Sequence, residues 1–517
     1  MANRAFAVSP VPALLAGLLL ATLGLGALWA VWARADGALS LNTADWSAIR
    51  FTVMQAALSA LVSLVAAIPV ARALARRQFG LRRVLVLLMG APFVMPVIVA
   101  VLGFVAVFGR AGWISEGLGL FGLPPVSIYG LHGVVLAHMF FNLPLATRLI
   151  LQGWQAVPPE QMRLAESLRF QPRDMRRLIE RPMLGQVLPG AFFLIFLICT
   201  TSFAVALVLG GGPRATTVEL AIYQAFRFEF DLGHAAGLAL VQLAIGVAAA
   251  VAAFVTRPRL DASAALGTQV VVPAPKGRQS AVFDAVCIAV AAGFLILPLL
   301  AVAAAGVMGL ADLTSSIFTA IARSLAVAAV SVVLSLSLAL ALLHPVGRAR
   351  ARGEAWVEGA GFLVLSISPL VVGTGLFLMI NPVADPVALA LPITAVVNAV
   401  LALPFVMQIL LPPIRQAEAE FGPLADQLGL TGWARWRWLR LPRLERPLGF
   451  AAGLAGALSL GDLGVIALFA DPARPTLPLY VYQLMGSYRT DAAAGAALVL
   501  LVLSLSIFGL LDRRGRA

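Results

Sequence analysis

The sequence predicts an all-α, polytopic membrane protein with 12 transmembrane helices, arranged as two six-helix halves of parallel orientation. Three observations predict it. The mean hydropathy is +0.95 with only 12% charged residues, whereas soluble chains carry roughly a quarter. Twelve stretches are apolar over about 20 residues, the length that crosses about 30 Å of hydrocarbon as a helix, whose backbone is bonded internally. The loops between these stretches alternate between Arg-rich and Arg-poor, as orientation in a bilayer requires.

The first stretch, near 11–33, has too long an apolar core for a signal peptide and ends in "VWARAD" rather than a small-residue cleavage site. It is read as a span. The next five lie near 51–73, 84–108, 129–151, 187–209 and 234–255. Six more lie near 282–306, 321–343, 357–380, 387–411, 449–470 and 492–511. One side of the membrane receives Arg4, Arg72, Arg76, Arg77, Arg82, Arg83, the loop 164–190, Arg257 to Arg278, Arg348, Arg350, Arg352, the loop 424–450, Arg513, Arg514 and Arg516. Opposite loops lack Arg or balance it with acids, so both termini are expected in the cytoplasm. The net charge of +13 thus reads as orientation toward the lipid bilayer, with no nucleic-acid partner.

The halves are expected at 1–255 and 281–517, joined by a cytoplasmic linker at 256–280 rich in Pro, Gly and small residues. An even number of spans per half makes the duplication parallel, unlike the inverted repeats of many secondary transporters. "RFTVMQAALSALVSLV" aligns with "RSLAVAAVSVVLSLSL" at an offset of 272, pairing Thr52 with Ser324 and Ser59 with Ser331. From Pro144 and Pro404 onward the offset is 260, the difference lying in the exterior loop "RAGWISEGLGLFGLPP".

Two basic loops repeat at that offset, "LAESLRFQPRDMRRLIERPMLGQVLPG" from Leu164 and "LADQLGLTGWARWRWLRLPRLERPLGF" from Leu424. Each reads as two short helices around a turn. Pro158 and Pro159 suit one helix start and Pro172 another. Gly429 suits a left-handed turn, and Thr431 is placed to cap the second short helix. Ala165 beside Leu168, and Ala425 beside Leu428, offer a small-residue face that another protein can approach closely. An interfacial lipid anchor is the alternative, but an anchor needs no such motif in both halves.

Cys199, Cys287, His132 and His138 show no metal-ligand spacing and read as packing residues, so no metal site is expected. The only lysine, Lys276, lies in "PAPKGR", so no GxxxxGK[ST] phosphate loop exists. Within the spans, Asp462 in "SLSLGDLGVIALF" stands out, because an intramembrane carboxylate faces either a partner or a cavity. With Ser459, Asn142 and Gln408 it is a candidate for the translocation pathway; the alternative is that it pairs with an Arg or caps a helix end. Gln55, Gln242 and Asn398 are further polar groups within spans, of a kind that often only bonds neighbouring helices. Tyr223–Gln224 and Tyr482–Gln483 form a repeated pair on the exterior side, a candidate contact for a delivering protein.

An x-A-x-x-x-G turn followed thirteen residues later by Pro, on the loop before the penultimate span, resembles the signature of permease subunits of bacterial ATP-binding-cassette importers. Ala165 and Pro182, and Ala425, Gly429 and Pro442, match it. Arg163 and Pro423 replace the usual acidic residue, and Arg169 replaces the turn Gly, which implies altered docking geometry at the first loop. The segments "LGGGPRATTVELAIYQAF" and "SLGDLGVIALFADPARPTLPLYVYQLMGSYRTDAAAGAALVL" look like the fused two-half permeases for thiamine and thiamine diphosphate, a group that also includes ferric-iron permeases. The resemblance implies a type I importer permease fold, with transmembrane domains at about 48–255 and 317–511. It further implies two copies of an ABC ATPase subunit that bind ATP and Mg, a periplasmic thiamine-binding protein, one permease chain per complex, no cofactor in this chain, and location in the inner membrane. A twelve-span secondary transporter and a membrane enzyme are less well supported, given the few intramembrane carboxylates and the absence of a nucleophile or cofactor motif.

Overall fold

The computed structural model describes residues 11–34, 41–210, 212, 215–256, 277–346, 368–469 and 473–514. Most of the expected linker, the start of the ninth span, and Arg4, Arg257, Lys276, Arg348, Arg350, Arg352 and Arg516 lie outside the described residues. Every regular element described is helical. Eleven helices are long and apolar enough to cross a bilayer, and a twelfth apolar helix is shorter. The chain is a multi-pass membrane protein.

In the first half the helices are α1 (Val11–Arg34), α2 (Thr43–Arg76), α3 (Arg82–Leu88), α4 (Ala91–Val94), α5 (Val97–Phe108), α6 (Trp113–Gly119), α7 (Leu131–Gln155), α8 (Pro159–Ser167), α9 (Pro172–Met175), α10 (Arg181–Thr200), α11 (Phe203–Leu209), α12 (Val218–Gln224) and α13 (Leu232–Thr256). After these come α14 (Arg278–Gly309), α15 (Ser316–Leu343), α16 (Pro369–Ile380), α17 (Ala390–Gln427), α18 (Gly432–Arg435), α19 (Leu441–Gly461), α20 (Gly464–Phe469), α21 (Leu477–Gly486) and α22 (Thr490–Arg514).

Three expected spans are interrupted. The span near 84–108 is divided into α3, α4 and α5, because Pro92 and Pro96 remove backbone donors. Those near 187–209 and 449–470 break at Thr201–Ser202 and at Asp462–Leu463. The two breaks occupy matching places at the 260 offset, so they belong to the repeat and not to one loop.

Packing repeats as well. The pairs α2–α7, α10–α13 and α12–α13 correspond to α15–α17, α19–α22 and α21–α22. Between the halves, α1 packs on α16 while α14 packs on α5, so each half lends its first helix to the other. Small residues make that exchange possible. A Cβ on Gly103 of α5 would meet the Pro298 carbonyl of α14 at 2.5 Å, and one on Gly375 of α16 would meet the Ala27 carbonyl of α1 at 2.4 Å. Lipid supplies no hydrophobic drive between helices, so such backbone approach carries the association.

The aligned hydroxyls also share one task. Thr52 Oγ1 accepts from Val218 N at 2.9 Å and Ser324 Oγ accepts from Leu477 N at 2.7 Å. Each satisfies an orphan amide at the start of a short helix, α12 or α21.

Candidate coupling hairpins and translocation seam

Both basic loops fold as helix–turn–helix hairpins. In the first, α8 and α9 flank the turn. The second departs from expectation, since α17 continues unbroken to Gln427 and supplies the first arm itself. Pro158 and Pro159 stand at the start of α8 in the first half, whereas Glu418 and Ala419 occupy the matching positions inside α17, which also runs through Pro412, Pro413 and Pro423.

The turns are the same. Phe170 N donates to Ala165 O and Leu430 N to Ala425 O, both at 2.9 Å. Arg169 has φ +53° and Gly429 φ +65°, so arginine takes the left-handed conformation that glycine takes in the twin. The altered geometry expected at Arg169 is not seen in the backbone. A side chain there is unfavourable by roughly 1 kcal/mol but clashes with nothing, since a Cβ on Gly429 has no neighbour within 4 Å. Thr431 stands at the N-cap without donating or accepting a capping bond, whereas Gln171 N donates to Asp174 Oδ2 in the first hairpin.

Ala165 and Ala425 do not form an outer face. Both are 3% exposed and packed inside their own hairpins, Ala425 against Ala417 and Leu439. A methyl group at this crossing lets the two arms close. The outward surface consists of Leu164, Leu168 and Leu178 in one hairpin and Leu424, Leu428, Trp433 and Trp438 in the other, interspersed with exposed Arg. Pro182 and Pro442 are exposed in the first turn of α10 and α19, where the absent N–H is harmless.

A π-helical turn roots each hairpin, at Arg176–Glu180 and Trp436–Arg440. Its last residue is buried and reaches the end of the second helix of its half, but with opposite charge in the two halves. Arg72 Nε donates to Glu180 Oε1 at 2.7 Å. Arg440 instead donates to the carbonyls of His344 and Val346 at 2.8 and 3.0 Å, where His344 aligns with Arg72. The second hairpin also holds a buried ion network. Glu418 accepts from Arg440 Nε at 2.8 Å and from Arg435 Nη2 at 2.5 Å, while Arg435 Nη1 donates to Asp426 at 2.6 Å. At the positions of Glu418 and Arg435 the first half has Pro158 and Met175.

Far from the hairpins the two helix breaks meet. A Cβ on Gly464 would lie 3.6 Å from Pro369 and 3.9 Å from Phe203, and one on Gly461 would lie 3.0 Å from Pro96. At this seam Asp462 Oδ1 accepts from Gly464 N at 3.2 Å, capping α20, while Oδ2 is buried without a partner. Ser459 receives a bond from Asn398 Nδ2 at 3.2 Å and donates to Ser331 at 3.0 Å. Asn142 is buried in the first half, donating to the His138 carbonyl at 2.8 Å and contacting Cys199 Sγ at 3.3 Å. Gln408 is exposed on α17, ten residues and about 15 Å along the helix from Asn398, so it is not part of this cluster. His138 bonds Ser59 at 3.2 Å inside the core.

Tyr223 is buried against Phe203 and Phe228, and Gln224 beside it is exposed. Tyr482 and Gln483 are half-buried. Burial pushes both phenols above the ordinary tyrosine value.

Relatives cover almost the whole chain. The thiamine transport system permease protein ThiP of Salmonella typhimurium is 38% identical over 97% of this chain and 96% of its own length. The chain belongs to the ThiP family of permeases. ThiP of Brucella abortus is 39% identical over 98% of this chain and 95% of its own length. The molybdenum transport system permease protein ModB of Azotobacter vinelandii is 28% identical over 36% of this chain and 81% of its own length, so most of that single permease matches little more than a third of this one. No family model matches the chain.

Two features of this ThiP-family chain escaped sequence reading. One is the opposite charge at Glu180 and Arg440, which the 260 offset could have exposed had paired positions been compared for sign. The other is Glu219, fully buried in α12, whose only signal is a lone carboxylate in "VELAIYQ".

Proposed function

We propose that this chain is the membrane-spanning subunit of an ATP-driven importer that carries thiamine and its phosphate esters across the bacterial inner membrane. One permease chain serves each complex, with residues 1–255 and 281–517 as its halves, the linker at 256–280 and both termini in the cytoplasm. The observation that carries this reading is the pair of hairpins, with one turn geometry and outward leucines in both. Two copies of an ABC ATPase subunit dock on them and bind ATP and Mg; the chain has no phosphate loop and needs no cofactor of its own. ATP-driven closure of the ATPases draws the hairpins together and rocks the halves so that the seam opens to the exterior; release after hydrolysis lets the hairpins part and the seam open inward.

A periplasmic thiamine-binding protein delivers substrate at the opposite face, where Gln224 and Gln483, backed by Tyr223 and Tyr482, form its contact. Asp462, beside Ser459, handles the cationic thiazolium at the seam, and Asn142 borders the path; Gln408, set apart from that cluster, is left out of it. The names of the relatives support thiamine over another solute.

The test replaces Leu168 or Leu428 with Asp. These side chains are 60% and 66% exposed, so folding is retained while an apolar contact with the ATPase is lost. Expected is at least about a tenfold drop in ATPase co-purification and in ATP-dependent thiamine uptake, equivalent to about 1.4 kcal/mol or more. Unchanged values for both variants refute the docking surface; uptake of ferric iron in place of thiamine by the wild-type complex refutes the substrate.

A further inference from the structure

A surplus of buried hydrogen-bond acceptors surrounds the break at the end of α10. Gln55 of α2 donates its side-chain N–H to the Cys199 carbonyl at 3.0 Å, and Gln242 of α13 donates to the Thr200 carbonyl at 2.8 Å. These bonds fix both amides, and each is left with its Oε1 buried and without a donor. Glu219 of α12 is 0% exposed and lies within reach of the Gln242 and Ser368 side chains, but neither of its oxygens meets a donor in full hydrogen-bond geometry. Among the described residues no basic side chain pairs with it. Four acceptor oxygens are thus held around one helix end, more than the single proton that burial favours on Glu219 can satisfy.

The opposing half repeats the imbalance. Asn398 is fixed by donating to Ser459 and leaves Oδ1 unpartnered, as Asp462 leaves Oδ2. Ser368, next to Glu219, directly precedes Pro369, which with Phe203 closes on Gly464 across the seam. One carboxylate from each half therefore flanks the line along which the halves meet.

An unpaired carboxylate away from water is expensive, and unsatisfied amide oxygens add to the penalty. Packing demands explain neither, because a leucine fills such a volume without the penalty. What satisfies acceptors without donors is a cation that carries N–H groups; an anion or an acceptor-rich solute adds to the imbalance.

We propose that Glu219, positioned with Gln55 and Gln242 and opposed by Asp462, is the site that holds an organic cation bearing N–H donors as it crosses the seam. This rests on the reading of the chain as a thiamine permease, since thiamine pairs a thiazolium cation with an aminopyrimidine whose amino group donates.

The experiment compares Glu219→Gln with Glu219→Asp in proteoliposomes holding the complete complex of permease, ATPase and binding protein. The readouts are ATPase co-purification and the rate of tritiated thiamine uptake. The amide keeps the volume and loses the charge; the shorter acid keeps the charge and leaves a gap. Expected is normal assembly of both, uptake at least about tenfold lower in Glu219→Gln, and uptake within about threefold of wild type in Glu219→Asp. The reverse order is the signature of packing and overturns the proposal, as do equal effects, no effect, or failure of Glu219→Gln to assemble. A wild-type complex that imports no thiamine overturns the substrate reading beneath it; wild-type import that Glu219→Gln leaves intact overturns the site alone.

Discussion

Replacing Glu418 with Gln strands two buried guanidinium groups in the second hairpin. Arg435 and Arg440 are 4% and 5% exposed, and both donate to this one carboxylate. Removing one member of a buried ion pair typically destabilises by about 3–5 kcal/mol. Arg435 keeps Asp426, whose side chain is more than half exposed, and Arg440 keeps the carbonyls of His344 and Val346, so the expected loss lies near the lower end, about 3 kcal/mol. The first hairpin shows the remedy, since Met175 occupies the position of Arg435. Adding Arg435→Met to Glu418→Gln should recover about 1–2 kcal/mol by removing one unpaired charge, a non-additive result. The assay is unfolding in mixed micelles titrated with dodecyl sulfate, followed by tryptophan emission, because Trp433 and Trp436 stack within the hairpin with ring centroids 4.9 Å apart. A Glu418→Gln chain within about 0.5 kcal/mol of wild type, the spread of inconsequential surface changes, refutes the assignment, and so does strict additivity.

Two further outcomes use the same unfolding measurement. Arg169→Gly should stabilise the chain by roughly 1 kcal/mol by relieving a left-handed residue, and Gly429→Arg should destabilise it by a similar amount without disrupting the turn, since the twin already holds arginine there. Gly103→Ala and Gly375→Ala should each destabilise by about 1–3 kcal/mol, because the added methyl meets a backbone carbonyl of the exchanged helix; Gly293→Ala, with open space around it, serves as the neutral control.

The duplication and the hairpins were legible because hydropathy, loop charge and turn chemistry each act over short windows and agree at one offset. The helix breaks were not. An average over about 20 residues reads through Ser202 and Asp462, because apolar residues on both sides outweigh a two-residue interruption. Ala165 and Ala425 were recognised as part of the hairpins but assigned to the wrong face, since helical spacing shows which residues share a face and not what covers it. Glu219 was hidden for a similar reason: beside "GGGPRATT" it reads as one more charge of an exterior loop. Its burial arises only when α2, α13 and α16 close over α12, which no local pattern encodes.

In each half the hairpin and the helix break are the two ends of one element. Between the π turn of each hairpin and the break in each half runs a continuous helix, α10 of 20 residues or α19 of 21, about 30 Å of rod at 1.5 Å per residue. Pro189 and Pro447 each remove one hydrogen bond from inside this span, so the helix can bend there as well as transmit displacement. A tilt of a few degrees imposed at the hairpin moves the far tip by an ångström or two, comparable to the tolerance of a hydrogen bond. In each half, the path from the hairpin to the seam therefore runs through a single helix with one proline in its interior, Pro189 or Pro447.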